Sequence, residues 1–174
     1  EVGVPIKFDW NKCKLETISY GHGITTTPLQ ATAVYAAMVN GGKIIKPTLI
    51  RNKEIKNQGN LISEETSKKI NDILRKVVTD DKGTAHLANV DGYYVGGKTG
   101  TSQNYQNERE NLNTFISVFP HQKPQFALLI MLENPKIATD LIYEYRGAKI
   151  KGFRNEAGWN SVYVAGKIIE KIGP

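Results

Sequence analysis

Gly92-Tyr93-Tyr94-Val95-Gly96-Gly97-Lys98-Thr99-Gly100-Thr101 is the stretch whose reading decides the fold. Its first eight residues satisfy G-x-x-x-x-G-K-T, the pattern of a phosphate-cradling loop, letter for letter. That loop needs an apolar strand before its first glycine and a helix beginning at its lysine, so that the helix N-terminus meets the phosphate. Leu87-Ala88-Asn89-Val90-Asp91 is too polar for a central strand, and Gly100-Thr101-Ser102-Gln103-Asn104 is poor helix material. Nucleotide binding is therefore the minor alternative, although the apolar run Phe126 to Glu133 could imitate the acidic strand of such enzymes. The main reading makes Lys98 to Thr101 part of a strand. Its glycines remove side chains where a ligand's backbone lies against the strand edge. A lysine charge and two hydroxyls then turn to the ligand side, which suits an extended peptide ending in a carboxylate.

Around this stretch the pattern is helices, then strands, then a helix. The first 25 residues show little periodicity and read as a loop-rich lead ending in Ser19-Tyr20-Gly21-His22-Gly23-Ile24. Thr27-Pro28 opens a helix, with threonine as cap and proline at the first helical position. Leu29, Ala33, Ala36, Ala37 and Asn40 are expected on its buried side, and Gly41-Gly42 closes it. A polar link from about Lys53 to Asn60 precedes a second helix. Ser63 caps that helix, Glu64 and Glu65 suit its dipole, and Ile70, Ile73, Leu74 and Val77 mark its apolar face. Asp80-Asp81-Lys82-Gly83 ends it. Strands are expected at Tyr93 to Thr101, Thr114 to Phe119 and Phe126 to Glu133, the last apolar enough for burial on both faces. Pro120 to Gln125 is a hairpin-sized connection, so the second and third strands are antiparallel neighbours. A closing helix runs from about Trp159 to Ile172, burying Val162, Ala165, Ile168, Ile169 and Ile172. The fold class is α+β.

The 174 residues fit one domain and can bury roughly 70% of the extended chain's surface, so no disulfide or metal is needed to hold a core. The single cysteine, Cys13, excludes an intramolecular disulfide and a cysteine-rich zinc site. The longest apolar run, Phe126 to Leu132, is far short of a membrane span. The net charge of +6 comes from 23 basic and 17 acidic residues scattered along the chain. That is a solvated lysine-rich surface rather than a nucleic-acid interface, because no basic helix or base-stacking aromatic pattern accompanies it. The chain opens Glu1-Val2-Gly3-Val4-Pro5, with neither an initiator methionine nor a basic-then-apolar lead, and is expected to be a piece of a longer protein.

Lys98-Thr99-Gly100 is also one of three short signatures of serine acyl-transferring penicillin-binding proteins and β-lactamases. Ser19 to Ile24, Thr27-Pro28-Leu29-Gln30, Ala36-Ala37 and Asn40-Gly41-Gly42 precede it. Gly83-Thr84-Ala85 and Gly92-Tyr93 come next, Gly97 to Ser102 contains the tripeptide, and Phe115 to Pro120 and the tail from Gly158 complete the match, all in the family's order. Over nearly its whole length the chain resembles the C-terminal part of the transpeptidase domain of class B penicillin-binding proteins, of the FtsI-type septal D,D-transpeptidase kind. His22 stands where many members have tyrosine. The family's nucleophile motif, Ser-x-x-Lys, is not here: none of Ser19, Ser63, Ser67, Ser102, Ser117 and Ser161 has a lysine three positions later. Ser102-Gln103-Asn104 spells the second motif, Ser-x-Asn, but on the wrong side of the lysine strand, and is taken as accidental. Both motifs are expected upstream of Glu1.

The resemblance implies an incomplete transpeptidase fold over residues 1–174, with an antiparallel sheet flanked by helices and a sheet edge in need of a partner. It implies a serine acyl-enzyme that crosslinks peptidoglycan stem peptides at the division septum and is blocked by β-lactams. The parent would be membrane-anchored, would face the periplasm and would work with divisome proteins. Lys98 would place its charge beside the Ser-x-Asn serine and the substrate carboxylate. Thr99 and Thr101 hydroxyls would bind that carboxylate, the Thr101 backbone N–H would serve the oxyanion hole, and Gly97 and Gly100 would keep the strand edge open. Tyr105 is a candidate rim residue, beside its plainer reading as an exposed loop tyrosine. No metal or organic cofactor is implied. His22 reads as a turn residue, His86 as surface or packing, and His121 has no assigned role. A non-catalytic module of penicillin-binding shape is the remaining alternative.

Overall fold

The computed structural model describes residues 14–19, 21, 26–51, 58–103, 111–152 and 154–172. Cys13, His22, Asn104, Tyr105 and the Glu108-Arg109-Glu110 run lie outside the described residues. The elements in chain order are α1 (Lys14–Ser19), α2 (Pro28–Val39), α3 (Glu64–Thr79), a 3₁₀ turn (His86–Ala88), β1 (Gly96–Gln103), β2 (Asn111–Phe119), β3 (Phe126–Glu133), β4 (Ile142–Tyr145), β5 (Ala148–Lys151) and α4 (Ser161–Ile172). The main sheet is antiparallel in the order β1-β2-β3, and β4 and β5 form a separate hairpin.

The helix ends follow their local chemistry. Thr27 and Gln30 form a reciprocal capping box: Gln30 N–H donates to Thr27 Oγ1 at 3.2 Å, and Thr27 N–H donates to Gln30 Oε1 at 3.0 Å. Ser63 Oγ accepts from Thr66 N–H at 3.1 Å to open α3. Gly41 and Gly42 close α2 with φ near +89° and +87°, a region other residues enter at a cost.

Two apolar clusters hold the sheet. On one face Phe115 and Phe119 of β2 meet Val162, Ala165 and Ile169 of α4, together with Val78 of α3. On the other, Val118 of β2 meets Val39 of α2 and Leu74 of α3. Thus α4 covers one face, α2 the other, and α3 crosses the start of β1 and contributes to both clusters. Asn71 ties the two early helices together, its Nδ2 donating to the buried Val39 carbonyl at 3.0 Å. Asn71→Leu leaves that carbonyl unpaired and should lower stability by about 1–3 kcal/mol. The urea unfolding midpoint reads this directly, and an unchanged midpoint would deny the bond a structural role.

Several expectations are corrected. The loop-rich lead includes one short helix, α1 at Lys14–Ser19, and apart from Gly21 its other residues lie outside the described ones. On α2 the buried residues are Ala37 and Val39, while Leu29 is 61% exposed. That helix is apolar nearly all round, so periodicity does not single out an inner face. Ile73 and Ile172 are both 60% exposed. β3 matches its expected limits but is not buried on both faces: Phe126 and Met131 are exposed. It is an outer strand of the main sheet, so its far side lacks a strand to cover it among the described residues.

The β4–β5 hairpin was not expected. Its two-residue turn, Arg146-Gly147, has positive φ at both positions, which matches the twist of the flanking strands. Buried Tyr143 anchors it edge-on against Trp159 and Tyr163, with ring centroids 5.7 and 5.1 Å away. Tyr145 meets the His86 ring in a T-shaped contact at 5.3 Å, so His86 has the packing role read for it.

Candidate active site

Lys98 and Thr99 lie in the middle of β1, not at the start of a helix. This overturns the nucleotide-binding reading, because no helix N-terminus is available at the lysine to meet a phosphate. The register sets Lys98 opposite Ile116, Thr99 opposite Phe115, Gly100 opposite Thr114 and Thr101 opposite Asn113. Facing side chains in a pleated pair share a side. Lys98 and Gly100 therefore lie on the α2 side, and Thr99 and Thr101 on the α4 side.

On the α2 side a groove of about 440 Å³ runs between β1 and α2. Pro28, Ala31 and Tyr35, at helical spacing, form one wall, and Lys98, Thr99 and Gly100 form part of the other. Its floor is the α2-side row of β2 and β3, including Ile116 and Leu129. Burial pushes the Tyr35 phenol above its ordinary value, so it stays a neutral hydroxyl. Lys98 is exposed and its Nζ donates to the Thr99 carbonyl at 2.6 Å. One cationic group thus stands at the rim of a mostly apolar trough beside an outer strand, an arrangement that can take an extended chain bearing a carboxylate.

The structure gathers Lys98, Thr99 and Gly100 at this groove and leaves Gly97 and Thr101 out of its lining. Thr101 Oγ1 accepts from Ala157 N–H at 3.2 Å. Its hydroxyl is therefore tied toward the N-terminus of α4 and does not share a ligand face with Lys98. Neighbouring strand residues alternate faces, so an ammonium at 98 and hydroxyls at 99 and 101 cannot all point one way. The glycines also act differently from the expectation of an opened edge. A Cβ on Gly97 would meet the Phe115 ring at 2.5 Å and the Ile116 carbonyl oxygen at 2.6 Å, and one on Gly100 would meet Thr114 Oγ1 at 2.5 Å. Both glycines admit β2 side chains. Ser102 is an exposed β1 residue.

Around the site stand groups the sequence did not single out. Arg75 of α3 donates from Nη1 to the Val95 carbonyl at 2.7 Å, just before β1 begins. Its own pKa is lowered by burial. His121 N–H donates to the Tyr94 carbonyl at 3.0 Å. Burial, then the nearby Arg75 charge, hold the His121 imidazole below its usual pKa, against a weaker opposing pull from Asp72. Behind β1, Asn113 Nδ2 donates to the Asn155 carbonyl at 2.7 Å, and Asn160 Nδ2 donates to Asn155 Oδ1 at 3.0 Å. This polar layer joins β2 to the start of α4 and backs Thr101. Among the described residues no group of three or more His, Cys, Asp or Glu side chains is arranged as metal ligands, and no helix is long and apolar enough to cross a membrane.

Residues 1–152 match the family model described as the penicillin binding protein transpeptidase domain. The chain belongs to the penicillin-binding-protein transpeptidase family. It is 36% identical over 136 residues to stage V sporulation protein D of Bacillus subtilis, covering 69% of this chain and 21% of that protein. It is 31% identical over 179 residues to the probable peptidoglycan D,D-transpeptidase FtsI of Caulobacter vibrioides, covering 95% of this chain and 28% of that one. The transpeptidase domain of penicillin-binding protein 3 from Burkholderia pseudomallei superposes with a TM-score of 0.70 over 95% of this chain and 49% of that one, at 21% identity. The fold is therefore that of penicillin-binding transpeptidase domains, α+β with an antiparallel sheet. The chain spans between a fifth and just over a quarter of the length of these two curated relatives.

Proposed function

We propose that these 174 residues are the C-terminal portion of a single peptidoglycan D,D-transpeptidase domain, the part that supplies the lysine strand of its active site. The observation that carries the reading is the placement of Lys98 on an outer strand, at the rim of a groove that can accept an extended peptide. Membership of the transpeptidase family supplies the reaction class. In the proposed reaction a serine Oγ attacks the carbonyl joining the two D-alanines of a stem peptide. The C–N bond breaks, the terminal D-alanine leaves with a proton on its amine, and a serine ester remains. The amine of a second stem peptide attacks that ester, forms the crosslink and returns the proton to serine. Lys98 holds the departing residue's carboxylate and lowers the cost of moving the proton. A β-lactam follows the first half and stops at the ester, because its leaving group stays attached. The oxyanion is held partly by the Thr101 backbone N–H, a role that needs only the strand and is independent of where the Thr101 hydroxyl is tied.

The setting follows from the same reading: a membrane-anchored parent whose catalytic domain faces the periplasm and acts with divisome proteins at the septum. Tyr105 remains the proposed rim residue.

The nucleophile lies on chain beyond these residues, since no Ser-x-x-Lys occurs here. Fluorescent penicillin should therefore label the full-length protein covalently and should not label the 174-residue chain alone. Failure of the full-length protein to label would support the alternative of a non-catalytic module, and labelling of the short chain would place a nucleophile within it.

A further inference from the structure

Thr84 lies in the segment between α3 and the 3₁₀ turn, and it touches the site from the α4 side of β1. Its Oγ1 is 2.9 Å from Thr99 Oγ1, a hydrogen bond that can run in either direction. The segment carrying Thr84 is fixed at both ends. Gly83 N–H donates to the Asp80 carbonyl at 2.8 Å, and Ala85 N–H donates to the Val77 carbonyl at 3.1 Å. Ala85 is fully buried beside Val78. From the other side Gly158 packs against the Thr84 carbonyl so closely that a Cβ there would come within 2.6 Å of it. Thr84 is thus an exposed hydroxyl on a rigid mount, aimed at a residue of the groove wall.

We infer that Thr84 is a positioning residue that sets the direction of the Thr99 hydroxyl for a ligand carboxylate. A hydroxyl has one proton to give and two lone pairs to fill. When Thr84 donates to Thr99 Oγ1, the Thr99 proton is left to point elsewhere, and a carboxylate lying along the open edge of the outer strand β1, within reach from its α4 face, is the acceptor that selects this direction. The chain Thr84 O–H to Thr99 O–H to carboxylate is polarised along its length, so the second bond is stronger than an isolated hydroxyl would make. Without Thr84 the Thr99 hydroxyl loses its donor and is free to rotate. The orientation is then no longer prepared before the ligand arrives.

This inference rests on the transpeptidase reading, and its test separates the two. In the full-length protein, second-order acylation constants are measured for benzylpenicillin and for its methyl ester, which lacks the anionic carboxylate, each by competition with fluorescent penicillin. The quantity read is their ratio. Thr84→Val, close to the same shape without the hydroxyl, should reduce the ratio about five- to tenfold through the free-acid constant alone. Thr84→Ser should restore it. Thr84→Ala, which removes the same hydroxyl with less bulk, reads the same ratio where the valine variant does not fold. Thr99→Val should reduce the ratio similarly, and the double variant should be no worse than Thr99→Val alone. A ratio within twofold of wild type, or an equal fall in both constants, would overturn the inference and leave the transpeptidase reading intact. Absence of acylation in the unaltered full-length protein would overturn that reading itself.

Discussion

In the full-length protein, Lys98→Ala should slow acylation by benzylpenicillin about 10²–10³-fold. A unit charge about 4 Å from a carboxylate is worth about 4 kcal/mol at an effective dielectric of 20, before the cost of stripping water from both groups. Part of that attraction survives at a half-open rim such as this one, and the remainder is lost to solvent. The fold should not suffer, because the Lys98 side chain is exposed and its ammonium donates to the carbonyl of its own neighbour, Thr99. Lys98→Arg should recover only part of the rate. A planar guanidinium keeps the charge but cannot take the place of a compact ammonium. Raised ionic strength should narrow the gap between wild type and Lys98→Ala, since the longer-range part of the attraction is screened. The competition assay with fluorescent penicillin supplies every one of these constants. An unchanged rate in Lys98→Ala would remove this residue from the chemistry.

How much of this could be read from the chain differs from element to element, for physical reasons. α3 was legible because its cap, its acidic first turn and its apolar spacing all agree. For α2 the limits and the burial of Ala37 agree with the sequence while Leu29 does not, because a helix rich in alanine and valine, with only Gln30 and Thr32 as plainly polar residues, carries too little polar contrast to mark its outside. The β4–β5 hairpin had a readable signal, alternating Ile142-Tyr143-Glu144-Tyr145 followed by a glycine turn, but strands of four residues carry little periodicity. At the site, the lysine strand was found from its motif, while the assignment of faces to 98, 99 and 101 needed only the two-residue period to be applied strictly. Arg75, Asn113, Asn155 and Thr84 lay beyond reach. Each acts through a contact with chain distant in sequence, such as Asn113 with Asn155 or Thr84 with Thr99, and no local pattern encodes such a pairing.

Gly97→Ala should be the most destabilising single methyl added to β1, and Gly92→Ala shows why. Gly92 has φ near +83° with nothing within 4 Å of an added Cβ, so alanine there meets only the backbone penalty, about 1–2 kcal/mol. At Gly97 the new atom meets an aromatic carbon of Phe115 and the backbone oxygen of Ile116. Neither can give way easily: Phe115 is fully buried among the α4 residues, and Ile116 is held in the ladder between β1 and β3. Overpacking of this kind costs about 3 kcal/mol when relief requires both a core ring and a strand to move. In a domain of about 150–250 residues that would correspond to a fall of roughly 6–12 °C in the unfolding midpoint, and the fall is smaller in the whole domain of which this chain is the proposed portion. The strand's share of that relief is a movement of β1 away from β2, which would carry Lys98 with it. Gly97→Ala should therefore lose acylation rate at temperatures where it remains folded, whereas Gly92→Ala should lose stability without losing rate. A Gly97→Ala protein with wild-type melting and wild-type acylation would mean that β1 does not pack on Phe115 as described.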